Sequence, residues 1–405
     1  MLHTNRVLGG ILLVSGTTIG AGMLALPVIG SFAGFIPSLL LFILIWALML
    51  MSALFLLDVN LSMKGDINLI SLAGKTLGLK GKVVAWVFYL LLLYALTAAY
   101  IAGSTPFFVD AISALTGWKI PPSMAFFSLP ILFGVFVYFG TLGVDYINRI
   151  LMVGLIISYF LLIGFLPSHL DPKLLLHQDY PPLLLAAPVI ITSFGFSIII
   201  PTLTTYLHHD RKKLRLVLWV GSLIPLLFYV VWQALILGVV PIEGENGLMQ
   251  AWQKGSSATI PLTKLIKNPW ITLSANFFAF FAIVTSFLGV TLSLSDFLTD
   301  GLKIKKTWEG KLIAWGLTFI PPLVFVLTYQ RGFIVALEYA GVFVAILLIL
   351  LPAWMALHLK KSFYHQIKGK ILSGLLIIFA FLIIIITILD KIGFLKPLIA
   401  KYVSS

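Results

Sequence analysis

Eleven apolar runs divide this chain of 405 residues, at about 7–34, 36–58, 83–108, 124–142, 149–167, 183–206, 215–240, 271–295, 312–328, 334–357 and 370–390. Most approach or exceed the roughly 20 residues that a helix needs to cross a hydrocarbon core. Lipid offers no water to backbone amides and carbonyls, so such a run has to satisfy them within its own helix. The chain is 60% hydrophobic and 10% charged, unlike any soluble domain of this length. The expected fold class is therefore all-α and integral to the membrane, a single transmembrane domain over 1–405 with the lipid bilayer as a partner. The first run begins at Val7, is too long for a cleaved signal peptide and ends in no small-residue cleavage site. No cysteine is present, which excludes disulfides and thiolate metal sites. The net charge of +13 does not mark a nucleic-acid partner, because the lysines are dispersed in short loops between the runs.

With the N-terminus inside, eighteen of the 27 lysines and arginines fall in inside segments and nine in outside ones. That excess follows the positive-inside rule, and an odd number of spans then leaves the C-terminus outside. Spans 1–5 (about 7–167) and spans 6–10 (about 183–357) enter from opposite sides as two inverted repeats, with span 11 (about 370–390) beyond both. Spans 9 and 10 are joined only by Tyr329-Gln330-Arg331-Gly332, and Pro321-Pro322 make span 9 irregular. Residues 66–78 read as a short helix on the cytoplasmic surface, with Asp66 a candidate cap and Leu69, Ile70, Ala73 and Leu77 on one face. The outside segment 241–270 carries Leu248, Met249, Trp252 and Trp270 among Gly, Glu and Ser. It reads either as a cover over the outer vestibule or as a wet loop with interfacial tryptophans.

Two runs are broken at their centres. Gly16-Thr17-Thr18-Ile19-Gly20-Ala21-Gly22 interrupts span 1 ahead of Pro27, and Ser193-Phe194-Gly195-Phe196-Ser197 interrupts span 6 between Pro188 and Pro201. Glycine weakens a helix, and freed backbone groups in a membrane are tolerated only where they face a cavity or another partner. Breaks at corresponding places in two halves point to the binding site of a secondary transporter. Glycines that serve close helix packing are the competing reading, disfavoured by the clustered hydroxyls and kinking prolines. The amides opening one half-helix favour an anion, and the carbonyls closing the other favour a cation. The amides of Ala21, Gly22 and Met23 are thus candidates for a carboxylate, and the carbonyls of Thr17, Thr18, Ser193 and Phe194 for an ammonium. Gly20, Gly22 and Gly195 allow close backbone approach. No lysine or arginine lies deep in a span, so a neutral zwitterion such as an α-amino acid fits.

Tyr94, Thr97 and Tyr100 in span 3, Gln233 in span 7, Asn276, Thr285 and Ser286 in span 8, and Tyr339 in span 10 are further polar candidates. Each also suits an interhelical hydrogen bond. Phe194, Phe196 and Phe281 could contact a ring, although packing is the commoner use in a chain with 31 phenylalanines. Asp58, Asp145 and Asp296 fall near inside span ends and read as solvated charges. Glu338, one turn into span 10, reads as an outer gate, a proton site or an interfacial charge. His208-His209-Asp210 has metal-ligand chemistry, but it precedes Arg211-Lys212-Lys213 at an inside end, where a solvated basic loop is expected. No metal, no cofactor and no catalytic residue is expected. A channel or a membrane receptor with a transporter-like body is the alternative of another class; charge rings and filter-like repeats, which a channel needs, are missing.

The blocks GTTIGAGMLALP at 16–27, YALTAAYIAG at 94–103, ITSFGFS at 191–197, IPLLFYVVWQ at 224–233, TSFLGV at 285–290 and RGFIVALEYAGV at 331–342 carry a resemblance. Together they resemble the bacterial hydroxy and aromatic amino acid permeases, in particular the tyrosine-specific branch, over essentially the whole chain. The resemblance implies the five-plus-five inverted-repeat fold of the amino acid–polyamine–organocation group, with an eleventh helix. It implies import of an aromatic amino acid, tyrosine first and tryptophan as the alternative, by proton symport with alternating access. The location it implies is a bacterial inner membrane, where the positive-inside count puts the N-terminus in the cytoplasm and the C-terminus in the periplasm. The resemblance puts substrate at Thr17, Thr18, Ile19, Gly20, Ala21 and Gly22 and at Ser193, Phe194, Gly195, Phe196 and Ser197; Tyr94 and Phe281, read from the residues themselves, are candidates around them. Sodium-driven relatives of the fold carry an Ala-x-x-Thr-Ser pattern on helix 8. Ala282, Thr285 and Ser286 have that spacing, and with Gly16 and Ile19 they form a possible cation site or its remnant. Some proton-driven relatives fill that place with a helix 5 lysine, which span 5 lacks, so the residues leave proton and sodium both open.

Overall fold

The structure is a computed structural model that describes residues 6–63, 65, 67–139, 141–305, 307–329, 331–359, 364 and 366–403. Among the described residues, ten helices are long and apolar enough to cross a membrane, and the bent pair Arg6–Thr18 and Ala21–Gly30, meeting at 45°, makes an eleventh span. That pair is span 1. Spans 2 to 11 are Phe35–Leu61, Leu69–Thr116, Pro122–Phe139, Gly143–His169, Leu183–Tyr206, Arg211–Leu237, Pro269–Gly301, Trp308–Thr328, Gly332–Leu357 and Ile367–Lys391. No strand occurs among the described residues. Below, "inner" denotes the face that carries the N-terminus.

Packing follows the inverted repeat. The inner half of span 1 packs on span 7, and span 6 packs on span 2. Span 3 packs on span 10, and span 8 on span 5; span 3 also meets span 9, and span 8 meets span 4. Equating spans 1–5 with spans 6–10 turns each contact of a pair into the other. One packing scheme has been used twice, in opposite orientations.

Prolines inside the spans leave carbonyls without partners, and hydroxyls from neighbouring spans take them up. Pro225 frees the Gly221 carbonyl, which accepts from Ser15 of span 1 at 2.9 Å. Pro352 frees the Leu348 carbonyl, which accepts from Ser52 of span 2, and the adjoining turn Ala345–Leu350 widens to a π-helix. Each proline thereby fixes where a neighbouring helix must lie.

The surface helix starts at Leu69, where the Asn68 side chain caps it by accepting from the Ser71 amide at 2.8 Å. Asp66, the cap expected from sequence, lies outside the described residues. This helix breaks from the long span 3 at Gly78, whose φ of 73° is a left-handed conformation that glycine adopts without strain.

The outer half of span 1 is walled in. Segment 241–270 forms two short helices, Leu248–Lys254 and Thr259–Leu265, and buries Leu248, Ala258 and Leu262. The Ala258 amide donates to the Leu24 carbonyl at 3.0 Å, and Trp252 meets Phe32 edge-on at 5.6 Å. Arg331 lies over the Trp252 ring at 3.8 Å. The cover reading of this segment therefore holds, with Trp270 left exposed. The tail after span 11 adds a second clamp, because the Tyr402 hydroxyl bonds the Phe32 carbonyl at 3.1 Å, His177 Nε2 at 3.0 Å and Asp179 at 3.0 Å. Glu338 is buried and ion-paired with Lys391 at the end of span 11, so it is not a solvated interfacial charge.

Asp58 corrects another expectation. It is buried rather than solvated, bonded to Arg211 at 2.6 Å and to the Tyr364 hydroxyl at 2.9 Å. Burial, and then the Asp58 charge, push the Tyr364 phenol up, which keeps it a donor. Asp145 is exposed, paired with Arg149 one turn on. Asp210 caps span 7: backbone bonds from Lys213 and Lys212, with the Lys213 charge, hold its carboxyl below the usual range.

Candidate functional site

The two breaks meet at the centre of the bundle. A cavity of about 590 Å³ opens between them. Its wall includes Gly16, Thr17, Thr18, Ile19, Gly20, Ala21 and Gly22 from span 1, and Thr192, Ser193 and Gly195 from span 6. Spans 3, 5, 8 and 10 complete it with Tyr89, Tyr100, Asn148, Met152, Thr285, Ser286, Leu337 and Val344 among others. Among the described residues no charged side chain lines it. The cavity reaches the inner face past Leu12, Leu13, Asn148, Thr202 and Ser293, and its outer end is closed by the buried half of span 1.

The backbone groups at the breaks are partly committed. The Ala21 amide donates to Ser286 Oγ at 3.1 Å, and the Met23 amide to the Gly20 carbonyl at 3.1 Å. Of the three amides expected for an anion, only Gly22 is left without a protein acceptor among the described residues. The Tyr100 and Ser286 hydroxyls adjoin one another at the same wall. On the acceptor side, the Tyr229 hydroxyl of span 7 bonds the Thr18 carbonyl at 2.6 Å and the Ser193 carbonyl at 2.9 Å. The wall thus offers an amide and hydroxyls for an anion, two carbonyls for a cation, and aliphatic side chains elsewhere.

The chain matches the tryptophan/tyrosine permease family over residues 3–390. It belongs to that family. The permease is 33% identical to "Tyrosine-specific transport system 2" of Haemophilus influenzae, across 98% of this chain and 99% of that one. It is 32% identical to a "Tryptophan-specific transport protein" of Pseudomonas aeruginosa, across 88% and 87% of the two chains. Among solved structures it resembles a manganese transporter of Eremococcus coleocola, with a TM-score of 0.58, 14% identity, and 97% and 90% of the chains covered. At that identity the likeness concerns the fold alone.

Several residues singled out from sequence lie away from the permease's cavity. Tyr94 donates to the Leu317 carbonyl of span 9 at 2.9 Å, joining two helices instead of lining the wall. Phe194 is fully buried and packs edge-on against Tyr229, with 5.1 Å between ring centres. Phe196 and Ser197 are fully buried as well. Phe281 stacks on Phe277 at 5.5 Å and lies against Gly154 of span 5, where any Cβ would collide with its ring. Ala282 is buried in the core. Thr285 lines the cavity, but its hydroxyl bonds back to the Phe281 carbonyl at 2.8 Å and the Ala282 carbonyl at 3.3 Å; Ser286 alone reaches span 1. Gln233 is buried towards the outer face beside Gly30, and neither of its amide atoms has a partner among the described residues.

Sequence reasoning passed over Tyr229 and Asn148. Asn148 lines the cavity with a buried Oδ1 that has no partner among the described residues. Next to Asp145 and Arg149 it reads as one more polar residue of a helix end. Tyr229 gives no signal in an apolar run, because nothing in the spacing says that it faces both breaks.

Proposed function

We propose that this permease imports aromatic amino acids, tyrosine foremost, by proton symport with alternating access across a bacterial inner membrane. One observation carries the reading. A wall with no charged side chain among the described residues, and with backbone donors and acceptors gathered at two helix breaks, suits a zwitterion, and its aliphatic remainder suits a ring. The volume falls in the range of about 300–1,000 Å³ usual for small-molecule sites. The names of the relatives support the substrate class, and those named for tryptophan make tryptophan the second candidate. An N-terminus in the cytoplasm makes the cavity open inward, a state in which substrate is released. Counterflow tests the reading: proteoliposomes preloaded with tyrosine are expected to take up labelled tyrosine by exchange. Binding without exchange would point to a receptor.

Orientation follows from the lysine and arginine distribution. A reporter joined after Ser405 is expected in the periplasm and one at Lys212 in the cytoplasm; activity of both on one side would remove the eleven-span arrangement.

Substrate charge gives a second test. Tyrosine methyl ester and tyramine lack a free carboxylate for the Gly22 amide and the nearby hydroxyls. A buried donor left unpaired costs roughly 1–3 kcal/mol, or about one to two decades of affinity. Both compounds are expected to compete with labelled tyrosine that much more weakly, and equal competition by tyramine would contradict the carboxylate assignment.

A further inference from the structure

One hydroxyl joins the two breaks. Tyr229 is fully buried on span 7, and its phenol donates to the Thr18 carbonyl at 2.6 Å and the Ser193 carbonyl at 2.9 Å. In unbroken helices these oxygens would accept from the amides four residues on, at Gly22 and Ser197. The breaks remove those partners, and Tyr229 stands in for both. Thr18 and Ser193 line the cavity, whereas Tyr229 stands behind the wall. The edge-on ring of Phe194, 5.1 Å away, holds the phenol in place.

A phenol has one proton to share between the two oxygens, and a carbonyl oxygen has two lone pairs. Each oxygen therefore keeps acceptor capacity on the cavity side. We propose that Tyr229 is a positioning residue: it fixes the Thr18 and Ser193 carbonyls at one spacing so that they receive the ammonium of an amino acid together. An ammonium brings three donors and no acceptor, so it adds to these oxygens without needing the phenol to leave. The same hydroxyl ties span 1 to span 6, so binding at either break is felt by both. This inference rests on the reading of the cavity as an amino acid site.

The test compares tyrosine with 3-(4-hydroxyphenyl)propionate, which differs from it only in lacking the amino group. Affinities of both for the purified full-length protein are measured in wild type and in Tyr229→Phe, which keeps the ring packing on Phe194. In wild type, the ratio of the two affinities measures the worth of the amine. Tyr229→Phe is expected to weaken tyrosine by about 10- to 100-fold, the range for a hydrogen bond to a charged group, and to change the deamino compound by less than about threefold. A purely structural role would weaken both alike and leave the ratio unchanged, and that result would overturn the inference. Tighter tyrosine binding in Tyr229→Phe would also overturn it, marking the phenol as a competitor for the carbonyls. Wild-type protein that binds neither compound would instead remove the substrate reading, and the inference with it. Should Tyr229→Phe not be recovered folded, Phe194→Leu decides. It keeps the hydroxyl but loosens its support, and it is expected to lower the ratio about two- to fivefold, whereas an unchanged ratio overturns the proposal.

Discussion

Gly20→Leu is expected to abolish tyrosine binding, and Gly20→Ala to weaken it about 5- to 150-fold, while Gly195→Ala stays within about threefold of wild type. The two glycines look alike in the sequence, each at the centre of a break. Their surroundings differ. A Cβ at Gly20 would fall on Ser286 Oγ, the atom that accepts from the Ala21 amide. The collision cannot be relieved without parting spans 1 and 8 or turning the Ser286 hydroxyl out of its bond. Overpacking of this kind costs typically about 1–3 kcal/mol, and each 1.4 kcal/mol is a factor of about ten. At Gly195 a Cβ meets the Thr192 carbonyl at 3.2 Å and otherwise only Leu348 and Val344 at 3.8 Å. Alanine fits there with a slight adjustment, and only a longer side chain would reach the space claimed by the substrate. Scintillation proximity binding on the purified variants, with thermal unfolding as a control, checks the contrast. Equal tolerance of alanine at both positions would place the site elsewhere.

The breaks were legible because glycine and proline act locally. Gly16, Gly20 and Gly22 weaken a helix wherever they stand, and Pro188 and Pro201 bracket the second break, so the backbone chemistry could be located without any knowledge of packing. The span count and the inverted repeat were legible for a related reason, since hydropathy and loop charge are carried by single segments. What each freed group bonds to was not legible. The Gly22 amide stays open while those of Ala21 and Met23 are taken, and that outcome depends on Ser286, 265 residues from Ala21. Asp58 looked like a helix-end charge, but Arg211 and Tyr364, at 153 and 306 residues' separation, bury it. Phe281 carries the apolar ring suited to a substrate contact, yet its side of span 8 meets Gly154. Helical phase assigns a residue to a face; which neighbour covers that face is a property of the assembled bundle.

Ser286→Ala is expected to cut transport about three- to twentyfold and Thr285→Ala to leave it within about threefold. The two hydroxyls are adjacent in the pattern shared with sodium-driven carriers, and the structure gives them different work. Ser286 accepts from the Ala21 amide across the gap to span 1, whereas Thr285 bonds back to its own helix at Phe281 and Ala282. Interhelical hydrogen bonds in membranes are worth roughly 0.6–1.7 kcal/mol, which sets the first range. Loss of the second bond leaves helix carbonyls that already have helical partners. The same geometry bears on the coupling ion. The Ala21 N–H points at the Ser286 oxygen, so a sodium ion at that oxygen would face the positive end of an amide dipole. We therefore expect accumulation of tyrosine in proteoliposomes under an inward proton gradient at fixed membrane potential, with no sodium present. Sodium varied alone is expected to drive none. Sodium-driven accumulation without a pH gradient, lost in Thr285→Ala, would assign Gly16, Ile19, Ala282, Thr285 and Ser286 to a working cation site and reverse the coupling.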